Sequence, residues 1–205
     1  GSSLYKVSSS KIATLIGTIE GSGRCSFASD GTNIVIATGY SKPYTYDGTT
    51  LTQGTDVDLP SASTVVYLNR RVIYDGVGPD IAFADLDAPL TVNSANVTRA
   101  DTHPDDMLAG FSHQQQYYAC GSMSIEPYYN SGVGNPPYLL IQNAVKDIGI
   151  HAIHSIGKNK GFVYFLGSDL TPYKLSGLTI QSIGNPAIGQ AISKYSDASD
   201  AYGMC

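Results

Sequence analysis

Six carboxylates could in principle do acid–base work: Asp80, Asp85, Asp87, Asp105, Asp106 and Glu126. Glycoside hydrolysis needs two such groups flanking one sugar bond. Asp85 and Asp87 would share a face if their stretch is a strand. Asp105-Asp106 follows Pro104 and reads as a polar turn or a helix start. No motif sets any of the six opposite a partner, so no catalytic residue is assigned. "SFASDGTN" (26–33) carries the Ser, Asp and Gly of a sialidase Asp-box, but once only and without the Trp. An Asp-Gly hairpin turn accounts for it. His151 and His154 would share a metal on a helix, yet point to opposite faces on a strand. His103 and His113 have no assignable partner, so no metal site is expected. Cys25, Cys120 and Cys205 are far apart, with no C-x-x-C pair. They read as buried or edge thiols in a reducing compartment. Nucleophile elbows and phosphate loops are absent. "GSGRC" (21–25) precedes a strand rather than a helix, so it cannot cradle phosphate. No cofactor is expected.

The elements that must position these groups are strands. Tyr occurs 15 times and Gly 22 times in 205 residues, and Val, Ile and Thr are plentiful. Net charge is −5 and Trp is absent, so the basic face of a duplex-DNA binder is not expected. No stretch reaches the ~20 apolar residues of a membrane span, and none reads as a signal peptide. Gly1-Ser2 reads as a cloning remnant. "SDASDAYGMC" stops without a closing turn, as a piece of a longer chain would.

One phrase recurs. "SLYKVSSSKIATLIG" (3–17) answers to "TPYKLSGLTIQSIG" (171–184), with looser copies at 42–55, 80–92 and 124–132. Tyr5, Tyr44, Phe83, Tyr128 and Tyr173 mark the copies, in steps of 39, 39, 45 and 45. Before each later copy lies a β-like run: "NIVIATG", "RRVIYDG", "QQYYACG" and "GFVYFLG". One step earlier come "GRCSFAS", "STVVYLN", "MLAGFSH" and "HAIHSIG". Four short antiparallel strands per 40–45 residues, joined by Gly/Asp/Asn turns, describe a propeller blade. The fold class expected is all-β: a propeller of about five four-stranded blades in a single domain over 1–205. One blade is expected to be shared between the termini, with 192–205 supplying an inner strand. Small residues at Cys25, Ala28, Ala109 and Gly110 suit crowding on the innermost runs. "NPAIGQAISKY" (185–195) predicts one short helical turn with Ile188, Ile192 and Tyr195 on one face. An Asp at Tyr5 or Tyr173 is expected to destabilise the fold by burying a charge.

The stretch 130–157 breaks the rhythm with a Gly/Pro-rich loop, then runs extended and apolar. It reads as a connection between blades and as a docking loop, because long loops on rigid scaffolds carry contacts. The candidate interaction residues are Asn130, Gly132, Gly134, Asn135, Pro136, Pro137 and Tyr138.

That stretch, which ends in "KDIGIHAIHSIG", with "LYKV…IGTIEGSGR" at the start of the chain, "GSMSIEPYYNSG" (121–132) before it and "GFVYFLGSDLTPYKLSG" and "IGQAISKY" after it, resembles a known family. It is similar to the packaged-DNA stabilisation proteins, the tail accessory factors of short-tailed P22-type bacteriophages. The resemblance implies a structural, non-enzymatic virion protein of the tail, made in the bacterial host cytoplasm. It implies a role in extending or plugging the portal channel, with the portal and other tail proteins as partners. It also implies a ring homo-oligomer in the virion, while this chain alone is expected to be monomeric or weakly associated. Neither sequence-specific nucleic-acid binding nor membrane contact is implied. The alternatives are a glycan-binding or glycoside-hydrolysing propeller, and a cellular protein-interaction propeller. Convergent carboxylates at one central pocket would favour the glycan reading.

Overall fold

The computed structural model describes residues 2–76 and 78–204. Gly1 and Cys205, the remnant and the third thiol of the sequence reading, lie outside the described residues. The chain forms two compact units.

The first unit takes the chain up to Thr98 together with residues 135–137. It opens with a hairpin of β1 (Ser3–Val7) and β2 (Ala13–Thr18). A four-stranded antiparallel sheet follows: β3 (Ser26–Ser29), β4 (Ile34–Ala37), β5 (Tyr44–Tyr46) and β6 (Leu51–Gln53). The next comprises β7 (Val65–Leu68), β8 (Arg71–Asp75), β9 (Asp80–Phe83) and β10 (Val97–Arg99), whose last residue belongs to the second unit. Sequential neighbours pair throughout, as in a meander.

The second unit holds two more such sheets. One runs β11 (Met107–His113), β12 (Gln116–Gly121), β13 (Ile125–Asn130) and β14 (Tyr138–Leu140). The other runs β15 (Gly157–Asn159), β16 (Phe162–Leu166), β17 (Pro172–Ser176) and β18 (Thr179–Ser182). A helix, α1 (Pro186–Ile192), follows. The architecture is all-β and built of propeller blades, as the repeat predicts.

Strand alternation explains why each blade needs neighbours. Side chains along a strand point to opposite faces. On β4, Val35 and Ala37 join a core with Val72, Tyr74, Ala82 and Ala84 of the β7–β10 blade. Ile36 between them turns the other way, to Tyr44, Ile19 and Leu4 of the hairpin side. A core in the second unit joins Phe111, Tyr118 and Cys120 to Val163, Phe165 and Leu175. Tyr117 fills the space that a side chain at Gly110 would take, which accounts for the small residue on β11. Sheets buried on both faces read as near-continuous apolar runs, as "NIVIATG" and "QQYYACG" do.

The hairpin turns need positive φ, but not all use Gly. Asn69-Arg70 (φ 51° and 63°) joins β7 to β8, and Gln114-Gln115 (φ 46° and 64°) joins β11 to β12. Two-residue loops match strand twist only with both residues left-handed, so the register imposes that conformation on unfavoured residues.

Several expectations are corrected. "HAIHSIG" is not a first strand: residues 153–155 form a 3-10 turn, and the strand starts at Gly157. The Ser155 hydroxyl donates to Ala152 O and accepts from Leu166 N, so it holds the backbone in a turn. Residues 193–204 form no strand. Asp197 accepts from Ser199 N in a local turn, and Gly203 N donates to His154 O. The helix has seven residues rather than one turn; Asn185 caps it by accepting from Ile188 N. Asp85 and Asp87 lie in a turn, not on one strand face, and Asp87 takes a left-handed φ of 56°. Tyr5 is 54% exposed, so an Asp there buries no charge.

Candidate functional site

The loop between β13 and β14 is the first candidate. Asn130 ends β13 and pairs with Tyr138 at the start of β14. The Asn130 carboxamide accepts from Gly132 N at 2.8 Å and turns the chain outward. Gly132 and Gly134 have φ of 73° and 90°, and the Asn135–Pro136 peptide is cis. Of the seven candidates, Gly132, Gly134 and Asn135 are exposed, Asn130 and Pro136 half-buried, and Pro137 and Tyr138 buried. Val133, between the two glycines, is exposed as well.

A second candidate was missed by sequence reasoning. The faces of the last blade differ in their cover. Val163 and Phe165 pack toward the β11–β14 blade, so Tyr164 and Leu166 look the other way. Beside this blade, α1 and the chain after it leave a cavity of about 630 Å³, which Phe165 and Tyr173 also line. Tyr164, Leu166, Pro172 and Ile183 line it from the blade side, and Ile192, Tyr195 and Tyr202 from the C-terminal side. Its lining is mainly apolar, with Asp197 and Asp200 as its charged members. Tyr195 and Tyr202 are 70% and 65% exposed. The helical stripe of Ile188, Ile192 and Tyr195 was its one sequence signal.

Four of the six candidate carboxylates, Glu126, Asp105, Asp85 and Asp87, take separate structural roles. Glu126 accepts from Thr102 N and from the Tyr128 hydroxyl, at 2.9 and 2.8 Å. Asp105 accepts from Met123 N at 2.6 Å. Asp85 accepts from the Asn96 carboxamide at 2.9 Å. Asp87 pairs with Arg70 in the open. In the "SFASDGTN" turn, Asp30 accepts from Thr32 N and Asn33 N, which is hairpin capping. His103 Nε2 lies 3.2 Å from Asp147, far along the chain from the turn that carries His154. Among the described residues no group of three or more His, Cys, Asp or Glu is placed to hold a metal. Cys25 and Cys120 are free, and burial pushes both thiols up.

Asp75 stands apart. It is buried at the end of β8 and accepts from Thr64 N at 2.7 Å. Burial pushes its carboxyl up to about 7, against hydrogen bonds from Thr64 and Ser63 that favour the charge. The folded state therefore holds the proton more tightly than the unfolded chain, whose Asp titrates near ~3.9. This contribution to stability is complete below about pH 4 and is lost as pH rises through about 7. Asp75→Asn should gain on the wild type across that window in urea titrations at stepped pH. Parallel curves would refute it.

The blade geometry is that of known proteins. A family model described as "Bacteriophage P22 Gp10, beta-propeller" matches residues 1–204. The chain belongs to the phage P22 Gp10 β-propeller family. Gp10-family membership makes it a phage structural protein, as the resemblance implied. No curated protein matches it. Among solved structures, BamB from Moraxella catarrhalis is similar at TM-score 0.53 and 11% identity, covering 83% of this chain and 52% of that one. YCF48 from Cyanidioschyzon merolae gives 0.53 at 13%, covering 86% and 66%. The dihydro-heme d1 dehydrogenase NirN gives 0.53 at 12%, covering 80% and 37%. The chain thus spans about half of BamB and less than two thirds of NirN and YCF48. At such identities these likenesses concern the fold alone. Among the described residues of the Gp10-family chain, no helix is long and apolar enough to cross a membrane.

Proposed function

We propose that this protein is a structural part of a phage or prophage tail. It extends or plugs the portal channel to retain packaged DNA and offers a platform to other tail proteins. It assembles as a ring homo-oligomer on the portal and performs no chemistry. The observation that carries the reading is the family match over residues 1–204. The build of the molecule supports it. Within each four-stranded blade, ladder hydrogen bonds tie neighbouring strands together, and apolar cores join one sheet to the next inside each unit. The exposed loop residues Gly132, Val133 and Gly134 offer a contact surface.

The test is removal of its gene from the phage or prophage that encodes it. Particles should fill and then leak, leaving DNA open to nuclease, and supplying the protein in trans should restore retention. Full, nuclease-resistant and infectious particles without the protein would overturn the reading.

A further inference from the structure

The cavity beside the last blade has the chemistry of a seat for a particular kind of chain. Its walls are hydrocarbon and rings: Tyr164, Leu166, Ile183, Ile192, Tyr195 and Tyr202. Its volume of about 630 Å³ suits several side chains rather than a single ion or water. Ring faces carry negative potential and attract cations. The charge at the site has the same sign. Asp197 and Asp200 line it, and Asp169 accepts from the Tyr173 hydroxyl at 2.8 Å beside it. Lys174 is on the strand face shared by Tyr164, but its ammonium sits over the Phe162 ring, 5.0 Å from the centroid. His151 acts electrostatically on Asp197. Asp197 and Asp200 are the charged residues of the lining and both are solvent-exposed, so they repel an acidic occupant and attract a basic one. A basic, amphipathic occupant satisfies both walls.

We propose that this cavity docks a short extended segment of a partner protein, with apolar or aromatic side chains in the cavity and lysine or arginine against Asp197 and Asp200. The proposal rests on the platform reading and names the chemistry of one partner. The chain's net charge of −5 also draws a basic segment in.

The probe is a fluorescein-labelled decapeptide alternating leucine and phenylalanine with lysine, and its counterpart with glutamate for lysine. Both are titrated against the full chain by fluorescence anisotropy, at low and at physiological salt. The lysine peptide should bind and weaken as salt rises, and the glutamate peptide should not bind. Asp197→Asn combined with Asp200→Asn should lower affinity about tenfold. Asparagine can still accept from Ser199 N, so the local turn persists. Tyr195→Ala, on a side chain 70% exposed, should weaken binding with the melting temperature unchanged. Equal binding of both peptides, binding of neither, or wild-type affinity in the double variant would each overturn the proposal. Leaky particles after gene removal with no peptide binding would sink the cavity alone. Specific peptide binding with tight particles would sink the tail reading alone.

Discussion

Gly149→Ala should cost roughly 3 kcal/mol or more, the upper range for forced overpacking. A methyl group there would fall inside Ser122 C and Gly121 O and 2.5 Å from Met123 N. All three are backbone atoms, so no side chain can swing aside. The same short segment ties the two blades of the second unit together. Ile150 N donates to Gly121 O at 2.9 Å on one side. On the other side, Ser168 N donates to Gly149 O at 3.0 Å and His151 N to Leu166 O at 2.9 Å. Shifting the segment to relieve the clash therefore strains both attachments. Equilibrium urea denaturation gives the measurement, and a loss under about 1 kcal/mol would show that the backbone there has room to move.

Phe83→Ala should cost about 3–5 kcal/mol, whereas Tyr5→Ala should stay within about 0.5 kcal/mol. Phe83 is fully buried on β9. Its removal leaves a void the size of a ring, and close-packed interiors relax only partly around such a void. Tyr5 occupies the matching strand of the first hairpin, but more than half of it is in solvent. Thermal melts of the two variants side by side would decide the matter. Similar losses for both would mean that Tyr5 is covered in solution.

The contrast shows how far the sequence could be read. The aromatic period placed all five marks on the equivalent strand: β1, β5, β9, β13 and β17. Period two along a strand, with turns at regular spacing, is a local signal and survives in one sequence. What the period could not give was the face. Tyr44 and Tyr173 turn toward the preceding sheet, while Ala82 takes that role on β9 and Phe83 turns away. One residue of slip reverses every side chain, and a step of 39 counted to an aromatic does not register it. "HAIHSIG" failed for a different reason. Its apolar spacing imitates a strand, but a serine hydroxyl and two long-range backbone bonds decide its shape. The loop from Asn130 to Tyr138 was legible because glycine and proline punctuate it. The cavity was not, because its walls come from residues 164–166, 172–173 and 183–202, brought together only by folding.

The opening hairpin has a consequence for handling the protein. Among the described residues β1 pairs with β2 alone, so its other edge presents unmatched N–H and C=O groups. Tyr5 and Val7 on β1, Ile12 in the turn and Leu15 on β2 are all exposed. Two molecules can satisfy each other there, ladder to ladder. Concentration-dependent clumping should begin at residues 3–18, with Lys6 and Lys11 as the gatekeepers whose charge holds it off.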